Sequence, residues 1–181
     1  MSDDDSLPRH VDDSAARRDD DSAARHIDDS VLRRDDDSAP WRVLVLCIGN
    51  SCRSQMAEAF LARAGGSRVK VESAGTRPSV VNPMTIRVLA ERGIDWSMTH
   101  SKSMREFLDQ PFDRVITVCD EAAEACPVFP GSGTRIHAGF EDPATVEGSE
   151  SVRLDAFRRI RDEIEAWADD FVRRELRGPQ D

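Results

Sequence analysis

Four consecutive apolar residues, Val43-Leu44-Val45-Leu46, run without a polar break into the string Cys47-Ile48-Gly49-Asn50-Ser51-Cys52-Arg53-Ser54. A strand that alternates apolar and polar residues buries one face. An uninterrupted apolar strand needs cover on both faces, which is the condition of a central strand in a parallel sheet. The rest of the chain offers that cover. A helix-like stretch begins at Gln55 and stops at Gly65-Gly66, and Val69 to Glu72 reads as a second strand. Asn82-Pro83 places a capping residue before a proline in the first turn of a helix that closes at Gly93. Arg114 to Val118 is a third strand, ending at Cys119. Leu154, Phe157, Ile160, Ile164, Trp167 and Phe171 recur at steps of three and four, one apolar stripe on a C-terminal helix. Strands alternating with helices predict an α/β fold whose parallel sheet is covered on both sides.

That fold accounts for residues 41–181 only. Residues 1–40 carry 13 aspartates and 6 arginines but 11 hydrophobic residues, so most of the net charge of −10 lies there. Residues 9–40 form four octads, RHVDDSAA, RRDDDSAA, RHIDDSVL and RRDDDSAP. An eight-residue period fits neither the heptad nor the eleven-residue repeat of a helical supercoil. It is also far below the roughly 20–50 residues of a solenoid unit. A segment this polar cannot offset its ordering entropy by burial, so a disordered acidic tail is expected before a single catalytic-sized domain. No apolar run approaches the ~20 residues that span a bilayer, and the acidic N-terminus does not read as a signal peptide. Four cysteines are too few for a disulfide scaffold of this length, and a mainly negative chain is a poor default binder of nucleic acid. The expectation is a soluble, cytoplasmic monomer.

The chemistry concentrates in the first turn. Cys47 and Arg53 bracket five residues between a strand and a helix. Such a loop can curl so that successive backbone N–H groups and the helix N-terminus converge on one point, an oxyanion cradle whose positive field favours a thiolate at Cys47. Arg53 adds a planar fork for two oxygens of a tetrahedral anion. Gly49 and Asn50 tolerate the left-handed backbone of a tight curl. Ser54 is placed to donate to the nucleophile, and Ser51 and Cys52 complete the loop.

The string CIGNSCRSQMAE resembles the low-molecular-weight tyrosine phosphatase superfamily, and more narrowly the thioredoxin-coupled arsenate reductases built on that fold. Ser73-Ala74-Gly75, Asn82-Pro83, Gly93-Ile94-Asp95, Thr117-Val118-Cys119, Cys126-Pro127 and Gly139-Phe140-Glu141-Asp142-Pro143-Ala144 extend the resemblance over roughly residues 42–172. It implies a three-layer α/β/α domain with a four-stranded parallel sheet. It also implies a general acid at Asp142, a second thiol at Cys119 and a third at Cys126. On that pattern Cys47 attacks arsenate, Cys119 resolves the adduct and releases arsenite, and Cys126 carries the disulfide to where thioredoxin reduces it. A tyrosine phosphatase and a non-enzymatic oxyanion-binding module stand as alternatives. Ala144-Thr145 follow Asp142-Pro143 where phosphatases usually carry aromatics, and the chain has no tyrosine. A mycothiol- or glutaredoxin-dependent reductase would not need both Cys119 and Cys126. No metal site is expected, since neither cysteine spacing is a zinc knuckle.

Two expectations concern particular segments. Residues 120–125 are rich in helix formers. Seven residues of helix separate two Cα atoms by about 10.5 Å, whereas a disulfide tolerates roughly 7 Å. Joining Cys119 to Cys126 should therefore unwind the segment. Some relatives bind potassium beside the loop through an Asn, a Glu, a Ser and an Asp. Asn50, Glu58 and Ser73 match the first three, and an ungapped count puts Lys102 at the fourth. Its ammonium is expected to replace the ion, donating to Glu58 and to the oxygens of Asn50 or Ser73.

Overall fold

The computed structural model describes residues 39–130 and 133–175. The expected disorder of the acidic tail concerns residues that lie, Ala39 and Pro40 apart, outside the described ones. The elements run β1 (Trp41–Cys47), α1 (Arg53–Gly65), β2 (Val69–Gly75), α2 (Pro83–Ala90), β3 (Arg114–Thr117), α3 (Asp120–Glu124), β4 (Thr134–His137) and α4 (Glu150–Glu175). All four strands are parallel, in the order β2-β1-β3-β4. Val43 to Leu46 are 0% exposed, so both faces of β1 are covered. Helices and the four-stranded parallel sheet form the expected α/β arrangement. Among the described residues no helix is long and apolar enough to cross a membrane.

Most of this follows from local chemistry. Asn82 caps α2 by accepting from the Met84 N–H (2.9 Å), with Pro83 in the first turn. The apolar stripe of α4 buries Leu154, Phe157, Ile160, Ile164 and Phe171, and the helix lies on α1 and α2. Its half-buried Trp167 stacks on Phe171 and meets Phe140 edge-on, with ring centroids 5.3 and 5.8 Å apart. The longest helix thereby anchors the loop that carries Asp142.

Several elements differ from the sequence reading. β2 continues past Glu72 to Gly75 because Ser73, Ala74 and Gly75 still pair with Val45, Leu46 and Cys47. α2 ends at Ala90, and residues 91–93 form a turn with Gly93 at φ +74. β4 has no clear strand signal of its own, since Thr134-Arg135-Ile136-His137 is short and mostly exposed at the sheet edge.

The order of strands decides where chemistry can sit. From β1 the chain crosses to β2 on one side and later returns to β3 on the other. A parallel sheet opens a crevice at the C-terminal ends of the two strands where this reversal occurs. Cys47 ends β1 and Cys119 lies just beyond β3, so both residues lie at that crevice.

Phe157, 1% exposed in the middle of α4, tests how far this helix holds the domain together. Phe157→Ala should lower stability by about 3–5 kcal/mol. Urea unfolding should show a lower midpoint with an unchanged m value.

Candidate active site

The loop between β1 and α1 is shaped by where its carbonyls go. Cys47 O accepts from Thr76 N (3.1 Å), Ile48 O from Arg77 N (2.9 Å), Gly49 O from Ser79 N (2.9 Å) and Ser51 O from Asn82 N (3.1 Å). Asn50 O accepts from Gln55 Nε2 (3.1 Å) and Ser101 Oγ (2.7 Å). In a trans peptide the N–H points opposite to the carbonyl. Five carbonyls turned outward therefore turn the intervening amides toward the inside of the loop. Asn50 N donates to Cys47 Sγ (3.1 Å), and Asn50 sits at φ +47, the left-handed conformation the curl requires. β2 passes so close that a Cβ on Gly75 would lie 2.5 Å from Ile48 O and 2.9 Å from Asn50 N. Only glycine permits that approach.

A chain of hydrogen bonds runs from the sulfur to a buried charge cluster. Ser73 Oγ donates to Glu58 Oε2 (2.5 Å) and accepts from Asn50 Nδ2 (2.7 Å). The other Asn50 amide proton goes to Ser54 Oγ (2.9 Å). Ser54 is then left with its own proton for Cys47 Sγ, 2.9 Å away. A carboxylate only accepts, so an ionised Glu58 fixes the direction of every link and aims an O–H at the nucleophile.

Lys102 closes the far end, with partners that differ from the sequence reading. Its ammonium donates to Glu72 Oε2 (2.6 Å) and to Glu58 Oε1 (3.4 Å), not to Asn50 or Ser73. Asn50 Oδ1 instead takes the Lys102 backbone N–H (2.7 Å), and the Ser73 oxygen is engaged by Asn50. Burial pushes the Glu58 carboxyl above its ordinary range, with Lys102 and Ser73 opposing. Burial also works against the Lys102 ammonium, but Glu58 and Glu72 together outweigh it, and its pKa is raised.

Arg53 opens α1, and its fork donates to Phe140 O (3.0 Å) and Asp142 Oδ2 (2.7 Å). Asp142 Oδ1 accepts from Ala144 N (3.0 Å), so the carboxylate is held at the loop from two sides. Cys119 is 3% exposed. Burial pushes its thiol up, while backbone groups of Ala122 and Ile48 and the charge of Arg53 pull the other way, and Cys47 lies within electrostatic reach. Burial likewise raises the half-buried Cys126, against the nearby Arg135 guanidinium. Cys52 points into the protein beside Ser51 and Thr85, and burial pushes it up to about 11. It has the surroundings of a packing residue. All four cysteines are free thiols.

The structure thus gathers Cys47, Gly49, Asn50, Ser51, Arg53, Ser54, Cys119 and Asp142 at one crevice. Asn50 is also tied to Glu58, Ser73 and Lys102 behind the loop, and Cys126 lies one strand further on. Sequence reasoning missed Gln55, which is fully buried. Its amide donates to Asn50 and to His100 O (3.3 Å), and it accepts from Trp96 Nε1 (2.7 Å) and Thr99 Oγ1 (2.9 Å). The signal was an amide inside a stretch otherwise set for burial. Glu72 was missed because a charged residue on a strand reads as a solvated one.

With this geometry in place, comparison with known proteins gives a consistent result. The profile of the low molecular weight phosphotyrosine protein phosphatase family matches residues 42–178. An arsenate reductase of Halalkalibacterium halodurans is 43% identical over 122 residues, covering 67% of this chain and 88% of that protein. A solved arsenate reductase in a phosphate-binding state superposes with a TM-score of 0.65 at 28% identity, covering 76% of this chain and 99% of the other. A thioredoxin-dependent arsenate reductase from Corynebacterium glutamicum aligns with a TM-score of 0.57 at 27% identity, covering 81% of this chain and 67% of that one.

If Ser54 donates to the sulfur as the hydrogen-bond chain requires, Ser54→Ala removes a bond to a charged acceptor, which is worth roughly tenfold or more in thiolate reactivity. Alkylation of Cys47 by iodoacetamide at neutral pH, followed by peptide mass, should slow by about that factor. Equal rates would show that the Ser54 proton points elsewhere.

Proposed function

The chain belongs to the low molecular weight phosphotyrosine protein phosphatase family, and we propose that it is an arsenate reductase of that family whose electrons come from Cys47, Cys119 and Cys126, renewed by thioredoxin. The observation that carries this reading is the seat of Cys119. A phosphatase completes its cycle with water and needs no second sulfur. Here a buried thiol lies at the end of the strand beside the nucleophile's own, within the field of both Cys47 and Arg53. The arsenate reductases among its relatives support the same choice.

The steps follow from the residues present. Arsenate, a tetrahedral anion like phosphate, is held by the inward amides and the Arg53 fork. The Cys47 thiolate attacks arsenic, and an arsenic-bound oxygen leaves as water with a proton that Asp142, open to solvent on one side, takes from water and hands on. The Cys119 thiolate then attacks the Cys47 sulfur. The S–As bond breaks, its electron pair leaves with arsenic as arsenite, and a Cys47–Cys119 disulfide remains. Cys126 attacks the Cys119 sulfur, which frees Cys47 and moves the disulfide to Cys119–Cys126. The dithiol of thioredoxin reduces it and becomes oxidised in turn. The proposed steps need no residue from a second chain, and we take the active form to be a monomer. The cytoplasm, where thioredoxin keeps thiols reduced, is its place.

Turnover of arsenate with thioredoxin, thioredoxin reductase and NADPH tests this. NADPH oxidation should require both arsenate and thioredoxin. Cys126→Ser should release one arsenite per chain and stop as a Cys47–Cys119 disulfide visible by mass. Continued turnover by Cys119→Ser would overturn the reading. Because burial raises both Cys119 and Cys126, their thiolate fractions grow with pH through neutrality. The transfer step should therefore quicken from pH 6 toward pH 9 rather than level off near 7, which stopped-flow quenching with a thiol reagent would follow.

We also propose that Lys102 stands in for a potassium ion. The donor set does not fit a metal, because an ion at Glu58 would meet an ammonium already 3.4 Å from that carboxylate. Activity should be indifferent to exchanging sodium for potassium at constant ionic strength. Lys102→Asp should make it depend on potassium, and Lys102→Met should lower kcat/KM in either salt. Strong potassium activation of the unmodified protein would refute the substitution.

A further inference from the structure

Helix α3 packs against β1 and β3, and polar contacts tie both ends of the segment between Cys119 and Cys126 to the edge strand. Of residues 120–125 only Ala122 is buried. A cavity of about 160 Å³ lies against it, lined by Thr117, Ala123, Cys126, Arg135, Ile136 and His137. Apolar packing there is thin. Arg135 and His137, two residues apart on β4, point to the same side of the strand, and each reaches one end of the segment. His137 Nε2 donates to Asp120 Oδ1 (3.1 Å), and its Nδ1 lies 2.9 Å from Thr117 Oγ1, which steadies the ring. Arg135 Nη2 donates to the backbone carbonyls of both Cys126 and Pro127.

We propose that Arg135 and His137 are positioning residues that clasp the segment in its dithiol form and so set how readily the Cys119–Cys126 disulfide forms. The proposal rests on the relay described above. In the disulfide the two Cα atoms must come within roughly 7 Å. A helical segment of this length cannot bring them there, so one or both ends must leave β4. Moving Cys126 toward Cys119 pulls its carbonyl and that of Pro127 off the guanidinium. Moving Cys119 outward pulls Asp120 off His137. Either way the dithiol keeps polar contacts that the disulfide loses, and the equilibrium is biased toward the reduced state until the Cys47–Cys119 disulfide supplies the oxidising equivalents, and thioredoxin then returns it to the dithiol.

The test isolates this couple in the full chain carrying Cys47→Ser, equilibrated with reduced and oxidised glutathione. Two glutathione thiols form for each Cys119–Cys126 disulfide, and the disulfide is read by alkylation and peptide mass. Arg135→Met should shift the equilibrium toward disulfide by about tenfold, the size of one or two charge-assisted hydrogen bonds near solvent, or about 30 mV more negative. His137→Gln should shift it the same way by roughly threefold. Arg173→Met, an exposed arginine in the last turn of α4, should leave it unchanged. Arg135 and His137 are exposed, so either variant alone decides if the other folds poorly. An unchanged equilibrium in the β4 variants, or an equal shift in Arg173→Met, overturns the clasp and leaves the relay standing. No Cys119–Cys126 disulfide in the parent at any glutathione ratio overturns both.

Discussion

The orientation of five peptide planes, residues 47–51, is the constraint on which the rest depends. An anion cradle made of backbone amides exists only if each paired carbonyl is drawn away and satisfied elsewhere, because a buried orphan carbonyl is costly. The protein supplies the donors from segments far apart in the chain. Thr76, Arg77, Ser79 and Asn82 form one flank, and Gln55 with Ser101 forms the other. The stretch from the end of β2 to the start of α2 is thus a scaffold for the loop as much as a connection. Gly75 is where the two backbones come closest. The same residue that caps α2, Asn82, also donates its backbone N–H to Ser51 O, so helix entry and loop shape are fixed by one position.

The sheet then arranges the sulfurs. Leu46 pairs with Thr117, and Val118 N donates to Leu46 O (2.9 Å), so the residues just beyond, Cys47 and Cys119, follow from adjacent strand ends. Cys126 is held one strand further on, against β4. Spatial order β1-β3-β4 is therefore the order in which the proposed relay uses Cys47, Cys119 and Cys126. Each exchange crosses one strand spacing outward, from the buried centre to the exposed edge. On that proposal the oxyanion reacts at the buried centre, and the protein reductant meets its disulfide at the exposed edge.

What the sequence made legible was whatever a local rule controls. The apolar run of β1, the Asn82-Pro83 cap, the stripe on α4 and the C-x5-R spacing each follow from periodicity or from one residue's chemistry. The edge strand β4 escaped because its stability comes from pairing with β3 rather than from burial. The extra residues of β2 escaped for the related reason that Ser73 looks polar in sequence but spends its hydroxyl inside the site. Gln55 and Glu72 escaped because their roles are partners over 40 and 30 residues away, and no local rule reports such a partner. For Lys102 the expected bond to Glu58 is present, but its second acceptor is Glu72 rather than Asn50 or Ser73. A count along the sequence locates a backbone, whereas the reach of a four-carbon side chain depends on which carboxylates surround it.

That last difference changes what the lysine does. Had the ammonium bonded Asn50 and Ser73 directly, it would have competed with the hydrogen bonds those residues pass toward Cys47. By taking Glu72 and Glu58 instead it leaves the chain Glu58–Ser73–Asn50–Ser54 intact and acts only on its terminus. Glu72 accepts from the ammonium at 2.6 Å and Glu58 at 3.4 Å, while Glu58 also takes the Ser73 hydroxyl, so its negative field orients that hydroxyl and through it the amide of Asn50. A cation bound as tightly to Glu58 as to Glu72 would quench that field, and none at all would leave a buried carboxylate prone to take up a proton. One ammonium shared unequally between two carboxylates avoids both extremes. Because it is covalently attached, its presence does not depend on the concentration of any ion.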